Sequence, residues 1–179
     1  KTHIQGFFDR QNLEDYFFRI QPDKLISPQD IVDRNVTIPD ESGLYAWYFD
    51  RIPPSVPKDL KYYTVKSHYL LYVGISSSLR DRLKSQHIEG DAYGSILRKK
   101  LGSLLLDTLD LHPVNRGGNK FDFGKDEEKL TKWIIEHALI AFQVHSDPDP
   151  IETKTISRYG YILPLNTAKN INTPFTELK

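Results

Sequence analysis

Two short segments each place a tyrosine two residues from a glycine, and an arginine follows the second of them. The first is Gly-Leu-Tyr at residues 43–45, and the second is Tyr-Val-Gly at residues 72–74. Arg82 lies eight residues after the second glycine. A guanidinium presents a fixed fork of donors that suits a phosphate, whereas a tyrosine hydroxyl, with an ordinary pKa of about 10, can take a proton from water only beside a cation. The set indicates chemistry on a phosphate ester, although each residue alone is more often a packed aromatic or a solvated charge.

The two tripeptides resemble the pair of motifs that gives the GIY-YIG nuclease superfamily its name, with interchangeable aliphatic residues between tyrosine and glycine. Either motif alone is a weak signal, but their order and the offset of Arg82 add weight. The resemblance extends from about residue 39 to residue 175. Residues 95–105, Ser-Ile-Leu-Arg-Lys-Lys-Leu-Gly-Ser-Leu-Leu, are similar to a run found in one bacterial branch of the superfamily. The resemblance implies a metal-dependent endonuclease that hydrolyses phosphodiester bonds in DNA.

The resemblance also asks for a glutamate on a helix, followed about 14 residues later by an asparagine after a proline. Asn166, in Leu-Pro-Leu-Asn at residues 163–166, fits the asparagine. Glu152 lies 14 residues before Asn166, and Glu136 lies 30 residues before it. Glu136 has the more similar local sequence, Trp-Ile-Ile-Glu-His-Ala-Leu-Ile at residues 133–140. We choose Glu152 because of its spacing and keep Glu136 as the alternative.

The resemblance implies a role for each of these side chains. Glu152 would hold a divalent metal, Mg²⁺ or Mn²⁺, since Mg²⁺ keeps several waters and takes only one or two carboxylates. Tyr45 would help to deprotonate the attacking water, and Tyr72 would hydrogen-bond the water or the phosphate. Arg82 would steady the scissile phosphate. Asn166 would orient the site or the backbone.

The charge is unevenly distributed in a chain that is neutral overall, with 24 basic and 24 acidic residues. Residues 58–100 carry nine Lys or Arg against four Asp or Glu, and residues 121–152 carry three against eight. The basic segment is either a solvated face or a groove for a polyanion. His87, in the same segment, is either a proton relay, as in some members of the superfamily, or a surface or capping residue. We predict DNA contacts for Lys84, Arg98, Lys99 and Lys100.

Apolar periodicity predicts the elements that position these residues. Residues 43–49 and 68–74 predict buried strands that pair in an antiparallel hairpin, and residues 138–145 predict a third strand. Helices are predicted at residues 12–18, 27–32, 76–87, 95–109, 126–137 and 151–159. The fold expected is α/β (α+β), with a small, mainly antiparallel three-stranded sheet flanked by helices. We assign residues 1–38 to an N-terminal helical extension and residues 39–179 to the nuclease-like domain, with a helical insertion around 93–137, in a single folding unit.

The composition excludes several other kinds of site. The 179 residues include no cysteine, which rules out disulfides, iron–sulfur clusters, zinc sites built on cysteine and a cysteine nucleophile. No run approaches 18 consecutive apolar residues, and the first ten residues lack the apolar core of a signal peptide, so we expect a cytoplasmic protein. Methionine is absent too, which indicates a chain trimmed or cut from a longer polypeptide.

Two rival functions stay open at this point. One is a catalytically inactive nucleic-acid-binding domain on the same scaffold. The other is a protein-interaction module in which the aromatic strands only build the core. In that module the five side chains implied by the resemblance should point in different directions, whereas in a nuclease they should line one cleft. The expected partner is DNA, and the sequence leaves the oligomeric state open.

Overall fold

The computed structural model describes residues 24–167, in which helices pack against an antiparallel sheet and a separate two-stranded ribbon stands beside it. The strands are β1 (Gly43–Phe49), β2 (Thr64–Val65), β3 (His68–Ser76), β4 (Val114–Asn115), β5 (Phe121–Asp122) and β6 (Ala138–Val144). The helices are α1 (Pro28–Val32), α2 (Asp81–Ile88), α3 (Ile96–Leu104), α4 (Leu106–Leu109), α5 (Glu127–His137) and α6 (Asp149–Tyr159). The helix predicted at residues 12–18 lies outside the described residues. No helix in residues 24–167 is long and apolar enough to cross a membrane.

The main sheet has the strand order β2-β3-β1-β6, and every neighbouring pair is antiparallel. All seven residues of the central strand β1 are buried, as its unbroken apolar run predicts for a strand covered on both faces. The predicted α+β fold is thus confirmed. The sheet has four strands rather than three, because Thr64–Val65 pairs with the first residues of β3. A strand of two residues is too short to show a period, so no sequence pattern could indicate it.

The glycines of the two tripeptides are required by close approach of other groups to the backbone. A Cβ atom at Gly74 would overlap the hydroxyl and ring of Tyr45, which lies directly opposite it in the register of β1 and β3. A Cβ atom at Gly43 would overlap the carbonyl oxygen of Gln143 on β6 and the side chain of Leu79. The first glycine therefore lets three chain segments meet, and the second makes room for the tyrosine ring.

Serine caps begin two of the helices where the sequence predicts them. The Ser27 hydroxyl accepts a hydrogen bond from the backbone N–H of Asp30 at 3.1 Å, and the Ser95 hydroxyl accepts one from the N–H of Arg98 at 3.1 Å. Each cap satisfies one of the backbone donors that the first turn leaves unpaired. The helices predicted at 27–32, 126–137 and 151–159 are present with boundaries that differ by one or two residues.

Two predicted helices differ from the structure in instructive ways. The helix predicted at 76–87 is α2, a wide π-type helix that begins later, because Ser76 is still the last residue of β3 and Ser78 caps the N–H of Asp81 at 3.2 Å. The helix predicted at 95–109 breaks at Leu105 into α3 and α4. The break turns the chain before the β4–β5 ribbon, which the sequence analysis expected only as a turn.

The segments on both sides of the nuclease-like region share its core. The backbones of Ile26 and Ile140 exchange hydrogen bonds of 2.9 and 2.8 Å, and α1 contacts β6, α2 and α5. The ring of Trp133 on α5 stacks on Phe49 of β1, with ring centroids 5.8 Å apart. Burying aromatic side chains of this size contributes about 2 kcal/mol or more each, so α5 is firmly held on the sheet. The domain boundaries assigned from the sequence remain predictions.

Candidate active site

One pocket of about 160 Å³ is lined by all five side chains that the resemblance singled out. They come from β1, β3, α2, α6 and the turn that follows the 3-10 helix Gly160–Ile162. The expectation that they line one concave surface is confirmed, which argues against a module in which they only build the core. The five are Tyr45, Tyr72, Arg82, Glu152 and Asn166, and the pocket is completed by Gly74, Ile75, Ile96, Ile156 and Thr167.

A second cavity of about 390 Å³ is larger but chemically poorer. Residues 54–55, residues 164–165 and the junction of α3 and α4 line it. Lys100 is the one predicted residue among its lining residues. Since reactive groups converge in the smaller pocket and not in the larger one, we take the smaller pocket as the candidate active site.

The two tyrosines lie diagonally across β1 and β3 on the same face of the sheet. Tyr45 is opposite Gly74 and Tyr72 is opposite Trp47, which places the two phenol rings 6.3 Å apart with a hydrogen bond between their hydroxyls. Burial raises the pKa of Tyr45 well above its ordinary value and raises that of Tyr72 to about 12. The charge of Glu152 raises both pKa values further, and the charge of Arg82 opposes this shift. Both side chains are therefore neutral phenols at neutral pH unless positive charge is added to the pocket.

His87 is fully buried behind Tyr45, so its interpretation as a surface residue is wrong. Its Nε2 atom lies 3.0 Å from the Tyr45 hydroxyl, and its Nδ1 atom lies 2.7 Å from the hydroxyl of Ser95. Burial, reinforced by the charges of Arg82 and Arg98, lowers the pKa of His87 to about 3. The imidazole is thus neutral at physiological pH, and it acts on the pocket through Tyr45 because it does not itself line the cavity.

Arg82 reaches the pocket from the first turn of α2 and leaves one donor unused. Its Nε atom is buried and has no hydrogen-bond partner among residues 24–167. A buried unpaired donor costs about 1–3 kcal/mol, more if it is charged, so the arrangement favours an anionic ligand that would accept this hydrogen bond. Its charge also lowers the pKa of both pocket tyrosines.

Glu152, rather than Glu136, lies at the pocket. Glu152 is in the first turn of α6 and is half-buried, and its charge acts on both tyrosines. Glu136 lies near the end of α5 with 64% of its side chain exposed and is not among the residues that line the pocket. The spacing argument therefore chose the glutamate that the tertiary structure brings beside Tyr45 and Tyr72.

Asn166 completes the edge of β3 with its side chain. Its Nδ2 atom donates to the carbonyl of Val73 at 2.8 Å, and its Oδ1 atom accepts from the N–H of Val73 at 2.9 Å. Val73 lies between Tyr72 and Gly74, so this double hydrogen bond holds the second tripeptide in place. Of the two roles expected for Asn166, these contacts favour orientation of the backbone.

The prediction that Arg98 contacts DNA is wrong, because its side chain is 0% exposed. It donates to the carboxylate of Glu127 at 2.6 and 3.1 Å and to the backbone carbonyls of His87 and Ile88. It is the core of the insertion rather than part of its surface. The other three basic residues are partly exposed, so their contact with DNA stays a prediction: Lys84 lies 3.9 Å from Glu89, Lys99 lies over the ring of Phe121 and Lys100 lines the second cavity.

Two residues near the site carried no sequence signal. Ser95 is a buried N-cap that also contacts His87, and nothing in its spacing indicates the second contact. Ile96 follows it and lines the pocket with half of its surface exposed. Only the cap itself could have been inferred, from a serine before a helical apolar period.

The donor set fits a hard divalent cation that keeps most of its water. Within residues 24–167 no group of three or more His, Asp or Glu side chains could hold a metal ion. The pocket offers one carboxylate, Glu152, together with room for several water molecules. This arrangement suits Mg²⁺ or Mn²⁺ and not zinc, which takes three or four protein ligands.

The sheet, the paired tyrosines and the arginine and glutamate beside them define a catalytic domain built to act on a phosphate group. A family model described as the GIY-YIG catalytic domain matches residues 43–178, well over half of the chain. The chain therefore belongs to the GIY-YIG family, whose domain is of the nuclease type. No curated protein and no solved structure matches the chain.

Proposed function

We propose that this protein is a divalent-metal-dependent endonuclease that hydrolyses phosphodiester bonds in DNA. The observation that carries the proposal is the convergence of Tyr45, Tyr72, Arg82 and Glu152 on one pocket from four separate elements. These side chains are 70 to 107 positions apart at the extremes of the set, so only the fold unites them, and together they supply the groups that phosphodiester hydrolysis needs.

Each side chain has a part that follows from its chemistry and surroundings. Arg82 binds the scissile phosphate, with its unpaired Nε as one donor, and stabilises the charge that develops on the phosphoryl oxygens. Tyr72 hydrogen-bonds the phosphate or the attacking water. Tyr45 takes part in deprotonating that water, and Asn166 holds β3 so that Tyr72 keeps its place. A divalent ion bound at Glu152 would add the positive charge that stabilises phosphoryl oxygens and acidifies bound water.

The charge of the pocket explains why a cation belongs to the proposal. The phenol of Tyr45 is a poor base while burial and Glu152 keep its pKa high, and Arg82 opposes this effect only in part. Neutralising the carboxylate of Glu152 removes one cause of the raised pKa, and added positive charge reverses its sign. The same pocket without a cation is expected to bind phosphate but not to cleave it.

The proposal is tested by nicking of supercoiled plasmid DNA with Mg²⁺ or Mn²⁺, with a chelator as control. Glu152→Gln keeps the size and hydrogen bonding of the side chain but removes the charge, so cleavage should fall by orders of magnitude while DNA binding stays level or rises. Arg82→Ala should lower the rate by about 10²–10³, the usual effect of losing one such donor. Glu136→Gln, an exposed change on α5, is the matched control and should cleave like the wild type.

The outcomes separate the proposal from its rivals. Equal cleavage by the wild type and by Glu152→Gln would contradict the proposal and point to a contaminant. DNA binding that is lost in Arg82→Ala, with no cleavage by any of the proteins, would indicate an inactive nucleic-acid-binding domain. A parallel reaction with single-stranded RNA as substrate tests the DNA assignment, which requires faster cleavage of DNA.

A further inference from the structure

A continuous row of hydrogen bonds connects the N-terminus of α3 with the tyrosines of the pocket. The backbone N–H of Arg98 donates to the Ser95 hydroxyl at 3.1 Å, and that hydroxyl lies 2.7 Å from Nδ1 of His87. Nε2 of His87 lies 3.0 Å from the hydroxyl of Tyr45, which is hydrogen-bonded to that of Tyr72. Ser95, His87 and Tyr45 are each at most 1% exposed, so water does not compete for these contacts.

The number of donors and acceptors decides the direction of the row. The Ser95 oxygen already accepts a hydrogen bond from the N–H of Arg98, and Nδ1 of His87 is the only other hydrogen-bond partner of this hydroxyl among the described residues. If Nδ1 carried the imidazole proton, the Ser95 proton would be buried without an acceptor, which is costly. Ser95 therefore donates to Nδ1, and the single imidazole proton is on Nε2, facing Tyr45.

From His87 the row continues in the same sense into the pocket. Nε2–H donates to the oxygen of Tyr45, and the Tyr45 proton is directed to the oxygen of Tyr72, which uses every donor once. The opposite order, in which Tyr45 donates to His87, leaves the Ser95 proton unused. Hydrogen bonds aligned head to tail strengthen one another in a buried environment.

Resting on the proposed function, we infer that Ser95 is a positioning residue of the reaction, which holds His87 as the Nε2–H tautomer so that the imidazole donates a hydrogen bond to the Tyr45 oxygen. A donor at this oxygen stabilises the phenolate that Tyr45 must approach when it takes a proton from water, and so opposes the effect of burial. His87 then acts as a fixed donor to Tyr45, not as a base that removes its proton.

The surroundings of His87 support a donor that stays neutral. The groups that face it from the packed elements are Tyr45 on β1, Tyr72 on β3, Arg82 on α2 and Arg98 on α3. Two of them are cations and none is an acid, so a second proton on the imidazole is disfavoured. Arg98 also donates to the backbone carbonyl of His87 at 3.2 Å, which fixes the position of the residue from below.

The tautomer is measured directly by ¹⁵N NMR of the histidine side chains, because the two ring nitrogens differ in shift according to which one carries the proton. In the wild type the His87 signals should report Nε2–H from about pH 5 to pH 8. Ser95→Ala should shift the population towards Nδ1–H, while Ser95→Thr, which keeps the hydroxyl, should retain the wild-type pattern. Nδ1–H in the wild type, or an unchanged tautomer in Ser95→Ala, would overturn the inference.

Catalysis provides the second measurement, with a matched control for the loss of a helix cap. Ser27→Ala removes an N-cap with the same 3.1 Å hydrogen bond from α1, outside the pocket, and should leave cleavage unchanged. Ser95→Ala should lower kcat about tenfold or more with little change in KM, and should move the alkaline limb of the pH–rate profile upward. Equal kcat in Ser95→Ala and Ser27→Ala would contradict the role in the reaction. If no protein cleaves, the proposed function fails, and the NMR result still decides the tautomer.

Discussion

Arg98 allows the sharpest test of how the insertion supports the site. Its guanidinium is fully buried and makes five hydrogen bonds, two to the Glu127 carboxylate and one each to the carbonyls of Glu127, His87 and Ile88. The other carboxylate oxygen of Glu127 accepts the backbone N–H groups of Ala92 and Phe123. One ion pair thus connects α2, α3 and α5.

Arg98→Met replaces the guanidinium by an apolar chain of similar length. It leaves the Glu127 carboxylate partly buried without its cation and strips donors from three carbonyls. Removing one partner of a buried ion pair costs about 3–5 kcal/mol, which is a large share of the roughly 5–15 kcal/mol that stabilises an ordinary domain. We expect the free energy of unfolding in urea to fall by that amount, and cleavage to fall with it because His87 loses its support.

The double variant Arg98→Met/Glu127→Gln keeps the measurement informative if the single variant is too unstable. Removing the second charge should recover part of the loss, since the uncompensated carboxylate is then gone, and the cycle gives the coupling between the two residues. Lys100→Ala, two residues further along α3, is the matched control and should stay within about 0.5 kcal/mol of the wild type. The reasoning is refuted if Arg98→Met costs less than about 1 kcal/mol.

Two further predictions concern pH and salt. Because His87 stays neutral in the folded state, with its pKa lowered to about 3, while the unfolded residue titrates near its ordinary value, the unfolded state binds an extra proton between these values. Stability is therefore full above about pH 6.5 and is lost as the pH falls, by at most about 1.4 kcal/mol per pH unit from this residue, and urea unfolding of His87→Gln should show a shallower slope than the wild type; identical slopes would refute the linkage. If Lys99 and Lys100 contact backbone phosphates, the double variant to Ala should reduce the log–log salt slope of duplex binding by up to about 1.8, while Glu152→Gln should leave it almost unchanged; a slope that the lysine changes do not alter would show that this face is only solvated.

The fold was largely accessible from local patterns. β1 and β3 are continuous apolar runs bounded by turn residues, and serine before an apolar period marks α1 and α3, because strand burial and helix capping act over a few neighbouring residues. The short strands β2, β4 and β5 lack such a pattern, since two residues cannot display a period. Their pairing depends on the neighbours that the fold brings to them.

The sequence by itself determined which residue types could serve the pocket and the order in which they follow one another: two tyrosines at fixed distances from glycines, then Arg82, Glu152 and Asn166. Only the tertiary structure decided that these side chains converge, that Glu136 stays in solvent, and that His87 and Arg98 are buried. The physical reason is that burial, hydrogen-bond partners and charge depend on residues distant in the chain. Arg98 looks like any surface cation in a basic segment until Glu127, 29 residues later, is folded against it.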